Sequence, residues 1–208
     1  MAAKIDPWSF PDPEQDPVGE GRRSIVLGGG CFWCTEALYK ELDGVLSVRP
    51  GYAGDTKDMA DYRTVCTGRT NHAEVIEVVY DADRIGLGQI LKIFFSIAHD
   101  PTQKDRQGAD VGRQYRSVIF HAHDEQKRTA EAYVAQLERA GAFDAPIVTE
   151  IVPLEAFYEA EDYHHDYAAR NPNQPYIRAV SDPKVKKLKA VHGDLLKGGA
   201  GNREKQHG

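Results

Sequence analysis

The chain has 208 residues, 41% hydrophobic and 28% charged, with a formal net charge of −6 from 26 basic and 32 acidic side chains. That length fits one domain with extensions, the composition excludes a wholly disordered chain, and the acidic balance excludes a nucleic-acid binder driven by bulk charge. No apolar run approaches the roughly 18 residues that span a bilayer, so no membrane partner is expected, and the odd, small set Cys31, Cys34 and Cys66 points to a reducing, cytoplasmic compartment rather than a disulfide scaffold.

Residues 1–22 read as an acidic, Pro-rich arm, neither a secretory signal nor a transit peptide. Pro7, Pro11, Pro13 and Pro17 forbid regular helix there, and Trp8 and Phe10 are expected to pin the arm to the domain. The short apolar run 24–27 reads as a buried strand that stops at Gly28, Gly29 and Gly30. A helix over 31–43 ends at Gly44, and 45–52 is a strand. The β-branched run 73–80 is the clearest strand, 87–98 an apolar helix and 116–121 a strand. A helix over 124–140 takes Asp124 as its cap, followed by a strand over 147–152 and a helix over 155–170. The first six elements run β-α-β-β-α-β. The expected fold is therefore α+β, a ferredoxin-like two-layer α/β sandwich with extended termini. Two long polar loops, 53–72 and 99–115, are expected to carry the active site. The division is an arm over 1–22, one catalytic domain over 23–190, and a tail over 191–208, partly disordered because it is Gly- and charge-rich.

The decisive segment is Gly28-Gly29-Gly30-Cys31-Phe32-Trp33-Cys34-Thr35-Glu36. It turns tightly out of a strand and places Cys31 at the first turn of a helix. Free amides there stabilise an anion, so a lowered thiol pKa and a nucleophilic Cys31 are expected. Cys34, three residues on, could reach a sulfenic acid or mixed disulfide on Cys31 after modest distortion. A zinc site would need four ligands, and Cys66 and His72 form no second pair. A dinucleotide loop would need glycine where Trp33 stands. No metal and no cofactor are expected. A His164–His165 pair diverges on a helix, so packing beneath the loops is the better reading.

Gly30-Cys31-Phe32-Trp33 resembles the signature of the type A peptide methionine sulfoxide reductases. Further segments match in order: Tyr62 to Gly68 with His72-Ala73-Glu74-Val75, His99-Asp100-Pro101-Thr102, Gln107 to Gly112 with Gln114-Tyr115-Arg116-Ser117, and Asp162-Tyr163-His164. The resemblance covers roughly 24–190. It implies thiol-dependent reduction of methionine S-sulfoxide, in proteins, peptides or the free amino acid. Sulfoxide reduction by thiols needs a thiolate, a proton donor for oxygen, an apolar nook for the methyl group and a second thiol. The resemblance assigns Cys31 as nucleophile and Glu74 as proton donor, with Tyr62 and Tyr115 donating to the sulfoxide oxygen. Phe32 and Trp33 wall the substrate pocket, and Asp110 supports its polar corner. On its residue type alone Glu74 would be an ordinary strand carboxylate. Cys66 is expected to be buried and inert.

The chain departs from the family where many members carry a recycling cysteine after a tyrosine in an Asn-Pro segment. Here that segment is Asn171 to Tyr176, and Ile177 follows. Cys34, where many members have glycine, is then the resolving thiol, with thioredoxin as reductant and a monomer as the working form. Three alternatives stay open at this point. One is a single-cysteine cycle with an external thiol. Another is a general dithiol-disulfide oxidoreductase using the C-x-x-C. The third is a non-enzymatic module that binds oxidised methionine.

Overall fold

The structure, a computed structural model, describes residues 4–17 and 19–199; of the partly disordered tail expected over 191–208, residues 200–208 lie outside them. Its strands and helices are β1 (Arg22–Gly29), α1 (Phe32–Tyr39), β2 (Val45–Ala53), α2 (Tyr62–Cys66), β3 (Ala73–Asp81), α3 (Leu87–Ile93), β4 (Arg106–Gln107), β5 (Asp110–Val111), β6 (Ser117–His121), α4 (Asp124–Arg139), β7 (Glu150–Pro153), β8 (Tyr158–Glu159), α5 (Tyr167–Arg170) and α6 (Asp182–Val191).

Six strands form one mixed sheet in the order β7-β6-β1-β3-β2-β8, and β4 pairs with β5 in a separate ribbon. The inner four strands, β6-β1-β3-β2, are antiparallel to their neighbours and give the ferredoxin-like core. β7 joins one edge parallel to β6, and β8 the other edge antiparallel to β2. Alternation along the strands separates two apolar faces. Ile25, Leu27, Ile76, Val78 and Tyr80 point into the main core with the helices. Val26, Val75, Val118 and Phe120 form a smaller core on the other face, covered by Val152, Leu154 and Phe157.

α1 is buried nearly all round, Leu38 and Tyr39 at 0% exposure, because it packs on β2 and β3 and is covered in turn by α5, α6 and the turn Ile177–Ser181. Such a helix needs no polar stripe. Its one buried charge, Glu36, pairs with Lys40 at 3.0 Å and accepts the Asp166 amide at 3.0 Å. The arm lies along α3 and α4. Phe10 is buried against Phe143, with ring centroids 6.0 Å apart. Tyr133 Oη donates to the Pro11 carbonyl at 2.7 Å, and the Gly88 amide donates to Asp16 at 2.7 Å. Trp8 is 68% exposed, so Phe10 pins the arm and Trp8 does not.

Several expectations are corrected. β1 continues through Gly28 and Gly29. The apolar helix breaks from α into a π-turn at Phe94–Ala98. Asp124 is the first helical residue of α4 and His123 its cap, with Asp124 and Glu125 in the first turn, where the helix dipole favours them. Residues 155–170 are not one helix. They hold β8, a 3-10 turn at Asp162–His164 and the single turn α5. Sheet pairing overrides local preference here. Gly51 admits the chain so closely that a Cβ would stand 2.5 Å from both Phe157 and the Tyr158 carbonyl. α6, with Leu188 buried, was not expected at all. Cys66, expected to be buried, is exposed at the end of α2.

Candidate active site

The site lies where β1 and β3 reach the start of α1. Gly30 has φ 86°, a left-handed conformation costly for any residue with a Cβ, and Gln107 lies where that Cβ would be, 2.8 Å away. The turn delivers Cys31 as the cap of α1, its carbonyl accepting from the Cys34 amide at 3.2 Å. Glu74 shares strand parity with Ile76, Val78 and Tyr80, so it points to the helix face at the mouth of β3. It is 2% exposed and accepts the Phe32 amide at 3.2 Å. A cavity of about 220 Å³ is lined by Cys31, Phe32, Trp33, Tyr62, Glu74, Asp110, Tyr115, Gln174 and Tyr176. All the residues singled out from the sequence line it except Cys34, which lies behind Cys31 at 1% exposure.

Burial dominates the electrostatics. It pushes Glu74 up to about 8, helped by the Asp110 and Cys34 charges, while the Phe32 amide pulls the other way. Burial also pushes the Cys31 thiol well above its ordinary value, together with the hydrogen bond to Cys34 and the Glu74 charge. The Trp33 amide lowers it, as a helix mouth should, but is outweighed. The lowered Cys31 pKa expected from the helix start is therefore corrected: in the free pocket this thiol keeps its proton. Cys34 goes down instead, first through its hydrogen bond with Cys31, then through the Lys184 charge and Tyr176. Tyr62 and Tyr115 are raised by burial and stay hydroxyl donors. Cys66 sits close enough to Tyr62 and Glu74 for both to act on its thiol, which burial raises.

The loops are held from behind. Tyr62 opens α2, where Asp61 caps by accepting the Thr64 amide at 3.0 Å. The Tyr62 amide and the Tyr52 hydroxyl both donate to Glu161, each at 2.9 Å. Trp33 stacks on Tyr167 at 3.8 Å and donates from Nε1 to His164 Nδ1 at 3.0 Å. His164 is fully buried, and burial lowers its pKa, so it is neutral with its proton on Nε2, facing Glu161 at 3.7 Å. Tyr115 follows Gly112, whose φ is 143°. The neighbouring Arg116, 3% exposed, bonds Glu150 at 3.1 Å and the Asn71 carbonyl at 3.0 Å, which ties both long loops together. His99, lowered by burial to about 3, is a neutral strut between the Phe94 carbonyl and Ser117.

Tyr176 and His164 were not assigned to the site from the sequence. Tyr176 donates to Asp110 Oδ2 at 2.5 Å. Its signal was the Asn-Pro segment, noted for a missing cysteine rather than for its tyrosine. Among the described residues no cluster of three or more His, Cys, Asp or Glu could hold a metal ion, and no helix is long and apolar enough to cross a membrane.

A buried thiol, a neutral buried carboxyl, two hydroxyl donors and a second thiol on a ferredoxin-like core are the parts of a thiol-dependent oxidoreductase. The family model for peptide methionine sulfoxide reductase matches residues 23–195, and the chain belongs to that family. It is 49% identical over 200 residues to peptide methionine sulfoxide reductase MsrA 2 of Synechocystis sp., covering 93% of this chain and 94% of that one. It is 53% identical over 163 residues to the MsrA of Sulfolobus acidocaldarius, covering 78% and 91%. Its fold is similar to that of reduced Mxr1 from Saccharomyces cerevisiae, with a TM-score of 0.67 and 35% identity over 77% of this chain and 92% of that one.

Proposed function

We propose that the chain reduces methionine S-sulfoxide, protein-bound, in peptides or free, to methionine, as a monomeric cytoplasmic repair enzyme whose catalytic unit is 23–190. The observation that supports this most is the neutral Glu74, held near 8 by burial in the same cavity as Cys31. The sulfoxide oxygen would accept from Glu74, Tyr62 and Tyr115, and its methyl group would rest against Phe32 and Trp33. Asp110 would brace the polar corner through Tyr176. Cys31 attacks sulfur as Glu74 protonates the oxygen, and the Glu74 carboxylate so formed takes the Cys31 proton. The oxygen passes to Cys31 as a sulfenic acid, sulfur leaves as the thioether of methionine, and the proton counts balance. Cys34 then attacks Cys31, water leaves, and thioredoxin reduces the resulting disulfide, restoring both thiols.

The test is turnover of the two methionine sulfoxide epimers with dithiothreitol as reductant. Methionine should form from the S epimer alone, and Cys31→Ser should form none. Appreciable turnover in Cys31→Ser would remove that residue from the reaction.

A further inference from the structure

The geometry points to a proton relay, Cys34 to Tyr176 to Asp110, that activates the resolving thiol. Cys34 Sγ donates to Tyr176 Oη at 4.0 Å, and Tyr176 Oη donates to Asp110 Oδ2 at 2.5 Å. Both bonds run the same way, from thiol to carboxylate, so one concerted shift moves a proton from Cys34 to Tyr176 and from Tyr176 to Asp110. Cys34 needs such an exit. It is 1% exposed and does not line the cavity, so solvent cannot take its proton directly, whereas Asp110 borders the cavity. The hydroxyl of Tyr176 keeps its own proton between transfers, because burial and the neighbouring thiols and carboxylate raise it far above its ordinary value.

This rests on Cys34 being the resolving thiol. In that step the Cys34 thiolate attacks the Cys31 sulfur, the S–O bond breaks, and hydroxide leaves as water by taking a proton from the Asp110 side of the cavity. Cys31 sulfur gains the electrons that Cys34 sulfur gives up, so no further reductant is needed. The groups that face Cys34 are Cys31, Glu74 on β3, Asp110 on β5, Tyr176 and Lys184 on α6. Asp110 disfavours the thiolate until it takes up the relayed proton, Lys184 favours it, Glu74 is neutral near pH 7, and Tyr176 is the neutral group that bonds the sulfur.

The experiment mixes enzyme with one equivalent of methionine sulfoxide, quenches at intervals between about pH 5.5 and 9, and counts free thiols and dimedone-trapped sulfenic acid separately from methionine released. In the wild type, disulfide closure should follow a single midpoint in pH. Tyr176→Phe should move that midpoint up by about one unit and slow closure roughly tenfold below it, as expected for loss of one hydrogen bond to a charged sulfur. Asp110→Asn removes the proton acceptor and should slow closure roughly tenfold even though it also removes a charge that disfavours the thiolate; the double variant should be no slower than the slower single one, and Lys184→Met should act by an independent, additive amount. Asp110→Asn also reads the relay alone should Tyr176→Phe not fold. A role in packing only would slow closure equally at every pH, and an unmoved midpoint in Tyr176→Phe or unslowed closure in Asp110→Asn overturns the relay. If peptide mapping of the wild type finds no Cys31–Cys34 disulfide, the resolving role of Cys34 fails and the relay with it.

Discussion

Replacing Glu74 by Gln should disable the enzyme and stabilise it at once. The native state keeps Glu74 neutral at pH 7, since burial holds its pKa near 8 against an ordinary value of 4.5. In the unfolded chain at pH 7 that carboxyl is ionised, so folding must protonate it. The cost is about 1.36 kcal/mol per pH unit between the unfolded value and the working pH, about 3 kcal/mol at pH 7. The folded pKa is raised, so the carboxyl opposes folding increasingly as pH rises from 4.5 to about 8 and equally above that. Gln keeps the shape, still accepts the Phe32 amide, and carries no such cost. For a domain of this size the gain corresponds to a melting midpoint roughly 6–12 °C higher at pH 7. At pH 4, where both side chains are neutral in both states, the gain should vanish. Turnover should fall roughly 10²–10⁴-fold through loss of the acid, and wild-type turnover should lose its acid-dependent limb as pH rises through about 8. Calorimetry of both proteins at the two pH values decides the matter. A Glu74→Gln protein no more stable than wild type at pH 7 would refute the argument from burial.

Cys34→Ser should release one methionine per enzyme and then stop with thioredoxin, accumulating dimedone-reactive Cys31, while dithiothreitol restores part of the turnover; normal cycling with thioredoxin would make Cys34 a bystander. Tyr62→Phe and Tyr115→Phe should each lower kcat/KM by about 10²-fold with little change in melting midpoint, the loss expected for one donor to developing charge; unchanged kinetics in both would leave Glu74 as the sole contact of the oxygen. Gly30→Ala should cost about 1–2 kcal/mol of stability from the left-handed backbone alone, read by denaturant midpoint, and more if Gln107 cannot give way; a neutral effect would mean that the turn relaxes freely.

The core of the fold was legible because its signals were local. The β-branched run through Val75, Ile76, Val78 and Val79 forms β3, and of the three glycines before Cys31 the last, Gly30, forms the turn that they suggest. The element order also led to the right inner sheet. The elements misread are those decided by distant partners. Residues 155–170 follow the edge of β2 and the walls of the pocket rather than any helical period. α6 had a readable stripe in Val185, Leu188 and Val191, but a run rich in lysine masked it. The cavity residues that came from motifs, Cys31, Glu74, Tyr62, Tyr115 and Asp110, do share one pocket. Tyr176 enters it from 61 residues beyond Tyr115, and no spacing rule connects the two. The protonation of Cys31 was misjudged because a helix start is visible in sequence, whereas the burial that outweighs it belongs to the assembled pocket.

That burial has a consequence for the order of events. Before substrate arrives, Cys31 and Glu74 both hold their protons near neutral pH. The two groups nearest the reaction then add no net charge to the cavity, so a neutral, dipolar sulfoxide can shed its water there without facing an anion. A thiolate formed early would repel the sulfoxide oxygen and pull Glu74 away from its acid form's task by holding its proton more tightly. A thiol that ionises only as the oxygen takes the Glu74 proton avoids both effects. The carboxylate so formed is then the nearest base for the Cys31 proton, because each charge in this low-dielectric pocket raises the proton affinity of the other. On the proposed roles, nucleophile and acid would be one coupled pair exchanging a proton across the bound oxygen, and the same burial that costs stability at Glu74 would also set when Cys31 becomes reactive.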